Sequence, residues 1–225
     1  MHGGRASPCP APRVMPAFPF WERAMILIGQ YDSSFVRRVA IAMRLYGMEF
    51  EHRPWSTFGD ADKIRPYSPM TRVPVLVLDD GDVLIESHLI LDYLDNLLPT
   101  ETAMYPRREP ERHRALKVAA LATNLADKAV ALFYEINFHK DVSEAYAARC
   151  KRQIMDALSV LETDRAARKN PYWFGEKIGH ADIAVACALR HFNDAFPGMV
   201  NMTDYPALKA HCRRLEVMPV FQEIS

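Results

Sequence analysis

The chain has 225 residues, with Lys plus Arg equal to Asp plus Glu at 28 each, a length that can bury one large core or two compact ones. The balanced charge supplies no global field for nucleic acid or an anionic membrane surface, so neither partner is expected. No segment approaches the ~20 apolar residues that span a bilayer, and a soluble protein is expected.

Residues 1–24 (MHGGRASPCPAPRVMPAFPFWERA) carry five prolines and no long apolar run. They read as a disordered extension, or as sequence upstream of a start at Met25, and not as a secretory signal. The cysteines, Cys9, Cys150, Cys187 and Cys212, form no C-x-x-C pair and no zinc-like cluster with histidine. No metal is expected. The last three fall in segments of helical period and read as small buried hydrophobes in a reducing, cytoplasmic compartment.

Met25–Gly29 (MILIG) predicts a buried strand. Ser33 or Ser34 can cap the helix that follows to about Tyr46, with Val36, Val39, Ala40, Met43 and Tyr46 on one face and Gly47 closing it. Glu49–Arg53 predicts a second strand, and Trp55–Arg65 a polar loop with one helical turn. Val73–Leu78, the Asp79-Asp80-Gly81 turn and Val83–Ile85 predict a hairpin. A helix opening at Glu86-Ser87-His88 and ending at Pro99 completes residues 25–98 as an α/β domain. Residues 99–110, with three prolines, read as an interdomain linker. Everything from 111 to 225 has helical period. One helix is marked by Ala115 to Ile136, another by Val142, Tyr146, Cys150, Ile154, Leu158 and Leu161, and two more lie near 180–195 and 205–216.

Three local features carry chemistry. Pro74 stands at a strand's start, where it is either an edge proline or a cis proline that leaves the preceding backbone free for a ligand. Glu86-Ser87 at a helix start is either a capping pair or a site for a small zwitterion. In the second case the helix N-terminus and Ser87 take a carboxylate and Glu86 takes an ammonium. Tyr31-Asp32-Ser33-Ser34 places a hydroxyl at the positive end of a helix, as a plain cap or as a donor to a thiolate.

In this order the chain resembles the cytosolic glutathione transferase family, of the bacterial serine type. The resemblance rests on SSFVRRVAIAMRLYGMEFE, RPYSPMTRVPVLVLDDG, LIESHLILDYLD and FGEKIGHADIAVA, and spans about residues 25–220. It implies an α/β thioredoxin-like N-terminal domain that binds glutathione, an all-α C-terminal helical domain and a homodimer. Ser33 matches the serine of the family's S-x-x-x-R stretch and is the expected thiolate partner, with Ser34 the alternative. Val73 matches the residue whose backbone pairs with the cysteinyl group, and Pro74 the cis proline. Glu86 and Ser87 match the pair that holds the γ-glutamyl end, and Arg72 is the expected partner of the glycyl carboxylate. Serine in place of cysteine in the catalytic loop argues against a thiol-transferase. Gly179 replaces the family's Ser or Thr helix cap, while Asp182 is kept.

The implied function is detoxifying transfer, in which glutathione, as co-substrate, adds its thiolate to a small hydrophobic electrophile. A free thiol near pKa ~8.5 is only a few per cent thiolate at neutral pH, so a donor hydroxyl and a helix N-terminus are the expected activators. The alternatives are a glutathione-dependent isomerase of a small dienoic acid (maleylacetoacetate or maleylpyruvate type) and a non-catalytic binding protein. Phe133, Tyr134 and Phe138 are candidates to line the second-substrate site, with core packing the expected role.

Overall fold

The computed structural model describes residues 25–225; Cys9 and the extension expected over residues 1–24 lie outside the described residues. Strand β1 (Met25–Ile28) is followed by α1 (Ser34–Leu45), β2 (Phe50–Arg53), the short α2 (Ala61–Ile64), the hairpin β3 (Val75–Val77) and β4 (Val83–Ile85), and α3 (Ser87–Asn96). The sheet order is β2-β1-β3-β4. β1 runs parallel to β2 and antiparallel to β3, and β3 pairs antiparallel with β4. This is a thioredoxin-like unit, and it is followed by a helical one: α4 (Glu111–Phe138), α5 (Glu144–Ala166), α6 (His180–Ala195), α7 (Pro206–Glu216) and α8 (Pro219–Glu223).

Helix α1 is buried on all sides, from Val36 through Met43. One face packs with the sheet and α3; the other meets Ile183, Ala186 and Cys187 of α6. The helix therefore buries its polar side as well as its apolar one, and it encloses two arginines, Arg37 and Arg38. Arg37 is matched in full: it forks onto Glu216 at 2.7 and 2.8 Å and donates to the carbonyls of Phe221 and Ile224. The end of the chain is thereby tied to α1. The small α8 was not legible in the sequence.

Residues 99–110 are held at Asp95, whose carboxylate accepts the N–H groups of Met104 at 3.1 Å and Tyr105 at 2.8 Å. The same carboxylate accepts from Tyr46 and from His180 of α6. Asp95 therefore ties α1, α3, the connecting segment and α6 together.

Helix α5 starts at Glu144, with Ser143 capping the Tyr146 N–H at 3.3 Å. Val142 lies before it, and both Val142 and Tyr146 are exposed, unlike the expected apolar face. At Gly179 the missing hydroxyl costs little, because Asp182 accepts the Gly179 N–H at 2.8 Å and the Trp173 N–H at 2.8 Å. Cys150 and Cys187 are buried and Cys212 half-buried. Among the described residues no helix is long and apolar enough to cross a membrane, and no group of three or more His, Cys, Asp or Glu side chains could hold a metal ion.

Candidate functional site

Sheet register brings the sequence-predicted residues to one end of the sheet. Ile28 pairs with Val75 and Val75 with Ile85, so the chain leaving β1, entering β3 and leaving β4 emerges at neighbouring positions. Those three segments carry Ser33, Val73-Pro74 and Glu86-Ser87. Gly29 shows how close the first two come. A Cβ there would lie 2.5 Å from Val36 Cγ2 and 2.8 Å from Val73 Cβ, and its φ of +126° already favours glycine.

Ser33 is the N-cap of α1, its Oγ accepting the Val36 N–H at 3.4 Å. The cap leaves the hydroxyl hydrogen free to donate outward. Ser34 differs completely. It is buried, its Oγ has no partner among the described residues, and it faces a cavity of about 420 Å³ lined also by Tyr31, Arg37, His52, Cys187 and Arg190. That cavity includes none of Ser33, Val73, Pro74, Glu86 or Ser87. The two serines thus serve different spaces.

The Val73-Pro74 peptide is cis. Among the described residues neither the N–H nor the C=O of Val73 has a hydrogen-bond partner. Val73 is half-buried, so it presents a donor and an acceptor to whatever enters.

Glu86 precedes α3 with φ 68° and makes no capping bond. A non-glycine residue in that region is uncommon and costs conformational energy, and the capping alternative for Glu86 is not realised. Its carboxylate instead lies 3.9 Å from Arg72, which also reaches Asp127 of α4 at 3.3 Å. Ser87 is buried at the first turn of α3 and its Oγ faces Arg38 at 3.5 Å. The next residue, His88, bonds Thr123 of α4 at 2.9 Å. Burial, reinforced by the charge of Arg38, pushes His88 down to about 4, and it is neutral at pH 7.

One face of α4 therefore borders the site. Thr123, Asp127, Tyr134 and Phe138 recur at helical spacing, and Phe58 of the β2–α2 loop closes on the last two, its ring 5.6 Å from Tyr134 and 5.1 Å from Phe138. Phe58, Tyr134 and Phe138 are 61, 39 and 57% exposed. The expected core role fails for Tyr134 and Phe138: they lie beyond the helix packing and form an open aromatic wall. Phe133 is half-buried, with its ring edge-on to Tyr134, Phe138 and Phe196.

Sequence reasoning missed Phe58, Arg38, Asp127 and Thr123. Asp127 and Thr123 share a helical period with Tyr134, a signal that was present. Phe58 stands alone in a polar loop with no period to reveal it.

The family models "Glutathione S-transferase, N-terminal domain" and "Glutathione S-transferase, C-terminal domain" match residues 27–102 and 144–214. The GST-like protein YibF of Escherichia coli is 30% identical over 75% of this chain and 82% of its own length. The maleylacetoacetate isomerase of Mus musculus is 24% identical over 88% of this chain and 90% of its own. Among solved structures, a glutathione transferase family member from Pseudomonas fluorescens Pf-5 with bound glutathione superposes with a TM-score of 0.75 at 25% identity, covering 89% of this chain and 98% of that one.

Proposed function

The chain belongs to the glutathione S-transferase family, and on that premise we propose that it binds glutathione at the sheet end described above and adds its thiolate to a small hydrophobic electrophile. The observation that carries this reading is the register, which gathers a capped hydroxyl, an unpaired backbone segment and an acid–serine pair at two helix N-termini.

In this reading the Val73 N–H and C=O pair with the cysteinyl backbone, and Pro74 holds Val73 in place. The γ-glutamyl ammonium lies on Glu86, its carboxylate on Ser87 and the free N–H groups of α3, and the glycyl carboxylate on Arg72. The thiol then reaches the N-terminus of α1. Ser33 donates to the sulfur and the helix dipole favours its negative form, so both lower the thiol pKa. Ser33 is a donor, not a nucleophile. The aromatic wall of Phe58, Tyr134 and Phe138 borders the electrophile, and holding both reactants together contributes several kcal/mol. A homodimer and a cytoplasmic setting belong to the same reading.

The likeness to a maleylacetoacetate isomerase over nearly the whole chain supports a second reading, glutathione-dependent isomerisation of a small dienoic acid. Turnover of an electrophile panel beside such an acid separates the two, and turnover of neither leaves a binding protein. Calorimetric titration tests the shared claim. Glutathione is expected to bind, and Glu86→Ala to weaken it roughly tenfold, the scale of a lost hydrogen bond to a charged group. Unaltered affinity in Glu86→Ala would remove that residue from the site.

A further inference from the structure

The peptide bond that leads into Ser33 is held from both sides. Its N–H, that of Ser33, donates to the Gln30 carbonyl at 3.2 Å. Its C=O, that of Asp32, accepts from His191 Nδ1 at 3.0 Å, and among the described residues no other group reaches that oxygen. A carbonyl oxygen can only accept, so Nδ1 carries the ring hydrogen. His191 stands on α6 in the helical domain, 159 residues further along the chain. Its ring makes no second hydrogen bond, because Nε2 is buried and has no partner among the described residues. The start of the same loop is held within the sheet domain. There His52 Nε2 donates to the Gly29 carbonyl at 2.8 Å, and Tyr31 stacks on the His52 ring at 4.0 Å. Two histidines from two domains thus hold the β1–α1 loop at its two ends.

The held peptide decides where a hydroxyl points. A peptide unit is planar and moves as one body, so fixing the Asp32 oxygen fixes Ser33 N and the direction in which the Ser33 side chain leaves. The cap bond from the Val36 N–H to Ser33 Oγ is long, at 3.4 Å, and alone it constrains the hydroxyl weakly. We propose that His191 is a positioning residue: its Nδ1–H pins the Asp32–Ser33 peptide from the helical domain and so aims the Ser33 hydroxyl at the sulfur of bound glutathione. The inference rests on the proposed function and extends it to a side chain outside the sheet domain. His191 touches no reacting atom and acts through Ser33. Such an aim matters, because a donor works only when held to within about 0.5 Å of its productive place.

The test follows thiolate absorbance against pH in the glutathione complex, with calorimetry of glutathione binding beside it. His191→Ala is expected to raise the titration midpoint of the bound thiol by about one unit, or tenfold less thiolate at a given pH below it. Affinity measured below the midpoint, where the thiol stays protonated, is expected to be nearly unchanged, because binding rests on Val73, Glu86, Ser87 and Arg72. His191→Asn sets an amide nitrogen where Nδ1 stood and is expected to restore most of the shift. His191→Gln carries its amide out to the place of Nε2 and is expected to restore little. In a Ser33→Ala background, His191→Ala should add almost nothing, since the two act as one.

A midpoint unmoved in His191→Ala overturns the proposal. So does a shift that Asn and Gln repair equally, or one that adds in full to that of Ser33→Ala. If His191→Ala does not fold, the Asn and Gln variants, which fill part of the ring's space, carry the same comparison: Gln shifted with Asn near wild type supports the proposal, and both alike overturns it. A wild-type complex whose thiol titrates as in free solution contradicts the glutathione reading itself, a result visible before any variant is made.

Discussion

Ser33 and Ser34 are neighbours in the chain with opposite surroundings. Ser33 meets the first amides of α1 and stays half-exposed, while Ser34 is buried and faces the cavity beside Arg37 and Cys187. Successive helix residues point about 100° apart, so a shift of one residue changes the space served. Sequence could not choose between them, because either serine can cap a helix. Gly29 is the residue that lets the chain leaving β1 pass against Val36 and Val73. Gly29→Ala adds a methyl where Val36 and Val73 leave no room, on a backbone with positive φ. It should lower the urea midpoint and weaken glutathione together; unchanged stability would mean that the β1–α1 loop is free to shift.

Strand β1 and the hairpin were legible because their apolar runs are short and punctuated by glycine, proline and Asp-Asp-Gly, and the first helix because its apolar residues recur at helical spacing. A cap at Ser33 or Ser34, the turn after Leu78 and the stop near Pro99 follow from local chemistry alone. Arg38 was not legible, because a charged residue in a helix reads as solvated. Only enclosure of α1 between the sheet and α6 buries it, and that packing is a tertiary fact. Asp95 is a second such case. Burial opposes its ionisation, but hydrogen bonds from His180, Tyr46 and the Tyr105 N–H outweigh it and hold the carboxyl below its ordinary value. Asp95→Asn breaks a buried, fully used carboxylate and should cost about 3–5 kcal/mol in denaturant unfolding. A loss under ~1 kcal/mol, the size of an ordinary surface contact, would mean that the four elements meeting there hold without it.

Across the whole molecule, acid should loosen the fold through histidines buried in neutral form. Burial pushes His211 down to about 3 and His88 down to about 4, and it lowers His180 as well. The unfolded chain takes up these protons below about pH 6.5. It therefore binds more protons than the folded state there, and stability falls as pH drops from 6.5 towards 4. Asp182, pushed up to about 6 by burial, works against this, since the folded state holds its proton longer than the unfolded one. The histidines outnumber it. The urea midpoint should thus decline from pH 7 to pH 4.5, and His88→Gln, which can keep a bond to Thr123, should flatten the decline. A midpoint rising over that range would show that Asp182 dominates.

In the proposed complex the N-terminus of α1, with Ser33 as donor, holds a glutathione thiolate. Ultraviolet thiolate absorbance of bound glutathione, followed as a function of pH in wild type, Ser33→Ala and Ser34→Ala, tests this most directly. The wild-type complex should titrate well below the ~8.5 of a free thiol. Ser33→Ala should move the value back towards solution and lower turnover by roughly 2–4 kcal/mol in the barrier, the scale of one preorganised donor. Ser34→Ala should leave both nearly in place. A bound thiol that titrates as it does in free solution, or one that responds to Ser34 and not to Ser33, would contradict the account.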